Sequence, residues 1–113
     1  MRILCGVDDM IVEAVYASAD GWIAGLVNAF PEESVRLFNL ARDGRKEEAF
    51  ELYRWFLPLL RMDTVGKFVQ LIKLAQEEVG MGSHRVRPPR LPLEGRELRE
   101  AKAIVEEALT GRP

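Results

Sequence analysis

One cysteine and one histidine among 113 residues leave little room for several kinds of chemistry. A single thiol cannot close an internal disulfide, which fits a reducing compartment. Cys5 sits in an apolar run with no histidine in a compatible order, so it reads as strand packing rather than as a nucleophile. His84, the sole imidazole, lies in a basic turn and has no companions for a metal set or a triad. No apolar run approaches the roughly 18 residues of a membrane span. Also missing is the charged start, apolar core and small-residue cleavage site of a signal peptide. Positive charge is not in excess: the net charge is −2, with 30% charged and 48% apolar residues, which argues against a nucleic-acid or membrane-surface role. No internal repeat, low-complexity tract or domain-dividing linker is evident. The expectation is a soluble, cytoplasmic protein with no cofactor and no metal site.

The residues that are present open on sheet and end on helix. Arg2 to Cys5 is a short apolar run closed by Gly6, consistent with a buried strand. Asp8 and Asp9 are candidate caps for a helix carrying Met10, Ile11, Ala14, Val15 and Ser18 on one face, which stops at Asp20-Gly21. The same two carboxylates resemble an acid–base pair, but capping is the simpler role. Trp22 to Val27 is continuously apolar, as in a strand covered on both faces. Strand, helix and strand in sequence predict a parallel pair with a right-handed crossover. Two parallel strands cannot close a sheet or cover its faces, and a parallel α/β fold repeats units of about 30 residues, so the pattern reads as part of something larger.

After Asn28 the periodicity is helical only. Pro31 suits a first turn, with Glu32 and Glu33 placed to complement the helix dipole. Val35, Leu37, Phe38 and Leu40 form the stripe until Asp43-Gly44. A second helix, Lys46 to about Met62, repeats Ala49, Leu52, Tyr53, Phe56, Leu59 and Leu60, with a bend expected at Pro58. A third starts near Asp63-Thr64, carries Val65, Phe68, Val69, Ile72, Ala75 and Val79, and stops at Gly80-Met81-Gly82. His84 to Leu93 is a proline-rich extended connection to a last helix from about Gly95 to Leu109. Trp22, Trp55 and Phe56 read as core. Arg85, Arg87 and Arg90 could meet an anion, but Glu94, Glu97 and Glu100 follow at once, so a solvated or salt-bridged surface is expected.

Four segments in this order carry a resemblance: Leu4-Cys5-Gly6-Val7-Asp8-Asp9, then Gly21-Trp22-Ile23-Ala24-Gly25-Leu26-Val27-Asn28, then a helix opening Pro31-Glu32-Glu33, and finally Arg85-Val86-Arg87-Pro88-Pro89-Arg90-Leu91-Pro92-Leu93 before a terminal helix. Together they resemble the C-terminal part of the dihydrodipicolinate synthase and N-acetylneuraminate lyase family, over essentially the whole chain. The resemblance implies an α/β fold: a C-terminal fragment of a (β/α)8 TIM barrel with two parallel strands, plus the family's C-terminal helices. Residues 1–45 would be the last two strand–helix units and residues 46–113 the helical extension, as one structural unit. It also implies a class I lyase or aldolase, in which a lysine forms a Schiff base with pyruvate or a related 2-oxo acid, and a homo-oligomer.

In that family the lysine ends the sixth strand, a tyrosine comes from the fourth, and a Gly-Thr-Thr-Gly type turn binds the substrate carboxylate. None of these segments has a counterpart here. Lys46, Lys67, Lys73 and Lys102, and Tyr16 and Tyr53, all fall on predicted helices. No catalytic residue can therefore be assigned, and the chain is expected to be inactive alone. Two positions carry over as substrate-pocket walls: Gly6, at the end of the seventh strand, and Ile23, on the eighth. Barrel active sites form at the C-terminal ends of strands, where a glycine lets backbone approach a ligand. A tight turn at Gly6 and plain core at Ile23 remain the alternatives. Ser18 stands where many relatives have glycine, which costs stability if that backbone is left-handed, and Gly66 stands where the family often has proline. The competing reading is a stand-alone helical binding or scaffold module without catalysis.

Overall fold

The computed structural model describes residues 1–113. Its order is β1 (Leu4–Cys5), a 3-10 turn (Asp8–Met10), α1 (Ile11–Tyr16), β2 (Gly21–Trp22), a 3-10 turn (Leu26–Asn28), α2 (Pro31–Arg42), α3 (Lys46–Leu60), a 3-10 turn (Arg61–Thr64), α4 (Phe68–Glu78) and α5 (Gly95–Thr110). As expected, β1 and β2 run parallel, with Leu4 opposite Gly21 and Cys5 opposite Trp22. The second strand is much shorter than the apolar run Trp22–Val27 suggests. Ile23 still donates its N–H to Cys5 at 2.9 Å, but from Leu26 the chain turns into 3-10 geometry. A strand with one neighbour and no cover has little to extend along.

The helices hold one continuous core. Leu37 and Leu40 of α2, Ala49, Leu52, Tyr53, Phe56, Leu59 and Leu60 of α3, Ile72 and Ala75 of α4, and Val105 and Ala108 of α5 are buried in a single cluster with Ile11 and Val12. Phe56 is its centre, edge-on to Phe30 at 5.8 Å and stacked on Trp55 at 5.2 Å between centroids. Trp55 sits partly buried and donates from Nε1 to the Ala108 carbonyl at 2.9 Å, fastening α5 to α3. At the C-terminus, Arg112 pairs with the nearly buried Glu33 and lies 5.4 Å over the Phe30 ring.

Some stripes differ from the sequence expectation. Met10 and Val35 are exposed rather than core-facing, and Ile11 and Val12, adjacent in sequence, are buried because the 3-10 turn before α1 rotates its first residues. The third predicted helix begins only at Phe68, since Arg61–Thr64 is 3-10 and Val65 leaves it in extended geometry; Lys67 consequently precedes that helix. Lys67 pairs with Glu97, and Glu100 pairs with Arg96 of its own helix, while Arg85, Arg87 and Arg90 form no ion pair with the neighbouring glutamates.

Three helices end alike, with a residue in left-handed geometry and two hydrogen bonds back into the last turn. After α2 the residue is Gly44 (φ +73°) and after α4 Gly80 (φ +74°), but after α1 it is Ser18 (φ +75°). Around Ser18 the bonds are Ser18 N–H to Val15 and Ala19 N–H to Ala14, at 3.0 and 2.8 Å. The glycine expected by resemblance is therefore replaced where its freedom matters.

Candidate functional site

The ends of β1 and β2 bring the two predicted wall residues to one edge of the molecule. Asp20 clamps the entry to the pair: its carboxylate accepts the Ile3 N–H and its own N–H donates to the Ile3 carbonyl, both at 2.7 Å. At the other end, Cys5 donates its thiol to the Val7 carbonyl at 3.3 Å and the chain turns away through Gly6. A Cβ built on Gly6 would meet nothing within 4 Å, so packing inside this chain does not require a glycine there. Ile23 is 67% exposed, which removes the reading of it as core within this chain. Ile3, Leu4, Val7 and Met10 are exposed as well, so the flank beside the strands is both apolar and uncovered.

Behind this edge lies a polar arrangement that local sequence does not reveal. Asp8 and Asp9 do not cap their own helix. Asp8 is fully buried, and its two carboxyl oxygens accept the N–H groups of Gly25 and Leu26 at 3.1 and 2.8 Å. It thus caps the turn that follows the other strand, 17 residues on. Asp63, from the turn between α3 and α4, closes over the same point. A Cβ built on Gly25 would stand 2.5 Å from Asp63 Oδ1 and 2.8 Å from Ile72 Cδ1, although Gly25 itself has ordinary helical backbone. Burial pushes the Asp8 carboxyl up to about 6 against the pull of the two N–H groups, and the neighbouring Asp63 charge adds to the rise. Asp63 is raised too, mainly by desolvation. Desolvation and a nearby like charge both favour the protonated form of a carboxyl.

Beside them, the Tyr53 hydroxyl of α3 reaches the Asp9 carbonyl and lies 2.8 Å from Glu13 Oε2. Burial and the Glu13 charge hold its phenol above the usual range. Sequence alone does not mark Asp63 or Tyr53, because one sits in a Met-Asp-Thr turn that reads as a helix start and the other belongs to a plain apolar stripe.

No group of three His, Cys, Asp or Glu side chains is placed to hold a metal ion. No lysine occurs before Lys46, so none stands in β1, β2 or the turns after them. The largest surface concavity, about 720 Å³ between α2 and α3 with Arg36, Arg45 and Glu48 on its walls, contains neither Gly6 nor Ile23. The strand ends thus offer apolar surface and the Cys5 thiol, but no amine.

Known proteins resemble this chain over nearly its whole length. The chain is 31% identical over 110 residues to an uncharacterized DapA-like lyase of Thermococcus kodakarensis, covering 96% of this chain and 38% of that protein. It is 32% identical over 107 residues to the 4-hydroxy-tetrahydrodipicolinate synthase of Methanopyrus kandleri, covering 95% and 33%. The solved 4-hydroxy-tetrahydrodipicolinate synthase of Methylacidiphilum fumariolicum superposes with a TM-score of 0.83 at 26% identity, over 97% of this chain and 38% of that one. The chain thus spans little more than a third of the length of these relatives. With the sequence model of the Dihydrodipicolinate synthetase family matching residues 1–108 as well, the chain belongs to that family.

Proposed function

We propose that this chain is the C-terminal portion of a Schiff-base-forming class I lyase or aldolase acting on pyruvate or a related 2-oxo acid. Residues 1–45 are the last two strand–helix units of a (β/α)8 barrel, and residues 46–113 its helical extension. Gly6 and Ile23 wall the 2-oxo acid pocket. The observation that carries the reading is the pair of parallel strands whose ends, Gly6 and Ile23, face an uncovered apolar flank, in a chain matched by the family over residues 1–108. A self-sufficient helical module would have no reason to leave a strand pair bare.

The chemistry requires an amine able to attack a keto carbon at neutral pH, which means a lysine desolvated or set beside another cation. Here Lys67 is paired with Glu97 and Lys102 approaches Glu78 at 3.9 Å, both on the helical side. All four lysines lie at or after position 46, beyond both strands, so in this reading the reacting amine comes from the preceding barrel units and this chain alone is inactive. The complete protein is a cytoplasmic homo-oligomer that needs no cofactor. Borohydride reduction in the presence of pyruvate tests this directly. The 113-residue chain alone should form no covalent adduct, and a mixture with a polypeptide carrying the first six strand–helix units of a relative should form one on that partner. A stoichiometric adduct on this chain alone would overturn the proposal.

A further inference from the structure

We infer that Tyr53 of α3 is a positioning residue for the 2-oxo acid pocket: its hydroxyl pins the turn Asp8–Met10, which is tied to the ends of both strands and so to Gly6 and Ile23. The inference rests on the reading of those two residues as pocket walls. The turn begins two residues after Gly6 and has little to hold it from within. It is three residues long and has no side-chain cap, and the Met10 N–H reaches the Val7 carbonyl only at 3.3 Å. Its fixed points come from elsewhere. From one side the Tyr53 hydroxyl donates to the Asp9 carbonyl, with Glu13 Oε2 of α1 as a second acceptor at 2.8 Å. From the other, the Asp8 carboxyl accepts the N–H groups of Gly25 and Leu26, two and three residues after Ile23. Two adjacent residues of one turn thus link α3 to the ends of both strands.

Tyr53 is suited to this part because its two ends do different work. The ring is 4% exposed and belongs to the main apolar cluster, so packing sets where the hydroxyl arrives. The helical extension also meets the second strand end directly. A Cβ on Gly25 would stand 2.5 Å from Asp63 Oδ1 and 2.8 Å from Ile72 Cδ1, so the chain after β2 is seated on the extension by close packing and on the turn after β1 by hydrogen bonds. Both pocket walls therefore take their position from the helical side.

Tyr53→Phe keeps the ring and removes only the hydroxyl. In the isotopically labelled chain at neutral pH, the amide resonances of Gly6, Ile23, Gly25 and Leu26 should shift together with those of the turn, while the amides of α5 stay in place. Shifts confined to Asp9–Glu13, the immediate surroundings of the lost hydroxyl, would overturn the inference. In the reconstituted mixture, the pyruvate concentration for half-maximal borohydride trapping should rise about three- to tenfold, the worth of one neutral hydrogen bond, with the saturating yield unchanged. A lower yield at an unchanged half-saturation is what a merely structural role would give, and it would overturn the inference. Should Tyr53→Phe fail to fold, the wild-type chain decides. A slowly exchanging Tyr53 hydroxyl proton with a dipolar contact to the Met10 amide supports the pin, and a hydroxyl exchanging at the solvent rate refutes it. A wild-type mixture that forms no adduct would defeat the lyase reading, and the shift pattern would still decide whether Tyr53 holds the strand ends.

Discussion

The helical side and the strand side of this molecule obey opposite accounts of burial. Around Phe56 apolar side chains of α2, α3, α4 and α5 are buried in one cluster, and the Trp55 hydrogen bond ties α3 to α5. At β1 and β2, by contrast, Ile3, Leu4, Val7 and Ile23 lie open, while the polar Asp8 behind them is fully enclosed. The helical side encloses its apolar core, whereas the strand side leaves apolar side chains open. What stabilises the chain should therefore reside in the helices, and what gives it a role should reside at the strands.

The largest expected effect falls on the helical side. Phe56→Ala should cost about 3–5 kcal/mol, the usual loss for a buried aromatic, since Phe30, Trp55 and the α5 contacts cannot all close the void. That is enough to unfold much of a domain of ordinary stability. Denaturant titration checks it. A loss below about 1 kcal/mol would mean that the core is loosely packed and the contrast between the two sides is false.

A second effect comes from the junction between the sides. Asp8 has its carboxyl raised from an ordinary 3.8 to about 6 by burial and by Asp63, and Asp63 moves the same way. A folded-state pKa above the unfolded one means that the native state holds the proton longer. The associated stability is fully present below about pH 4 and is lost as pH rises through about 6, a difference of roughly 2–3 kcal/mol. Glu77, held low by the His84 N–H and ring, works in the opposite sense but only in the acid range below this window. Thermal melts at pH 4.5 and 7.5 should show the lower midpoint at the higher pH. The reverse order would place the governing groups elsewhere.

How much of this was legible in the sequence follows the range of the forces involved. The α3 stripe is legible residue by residue, because a helix face is written at a spacing of three and four. The α2 start at Pro31 and the parallel strand pair were equally local signals. Strand length is not legible in the same way, since the apolar run Trp22–Val27 predicts a strand to Val27 whereas β2 ends at Trp22. The role of Asp8 is not legible either: Asp before a helix looks like a cap, and only the fold brings Gly25 and Leu26 under it. Asp63 lies 55 positions away from Asp8, and no periodicity joins them.

Ser18 offers a smaller and stabilising test. It occupies left-handed backbone at the end of α1, where the equivalent ends of α2 and α4 have glycine. Ser18→Gly removes the Cβ strain while giving back some chain entropy in the unfolded state, for a net gain of about 0.5–1 kcal/mol. A rise in the denaturation midpoint with unchanged slope would confirm that the strain is local. A fall would show that the serine side chain makes contributions beyond its backbone.

The smallest effect on stability belongs to the residue that matters most to the proposed role. Ile23 is 67% exposed, so Ile23→Asp should change the unfolding free energy of this chain by less than about 0.5 kcal/mol. In the reconstituted mixture the same carboxylate would be forced against an apolar barrel interior, and pyruvate trapping on the partner should disappear. The two measurements pull apart only if the strand edge is a surface made for burial against something else. A variant that destabilised the isolated chain by about 2 kcal/mol would show that Ile23 already packs within it, and an unchanged adduct yield would show that the edge bounds no pocket.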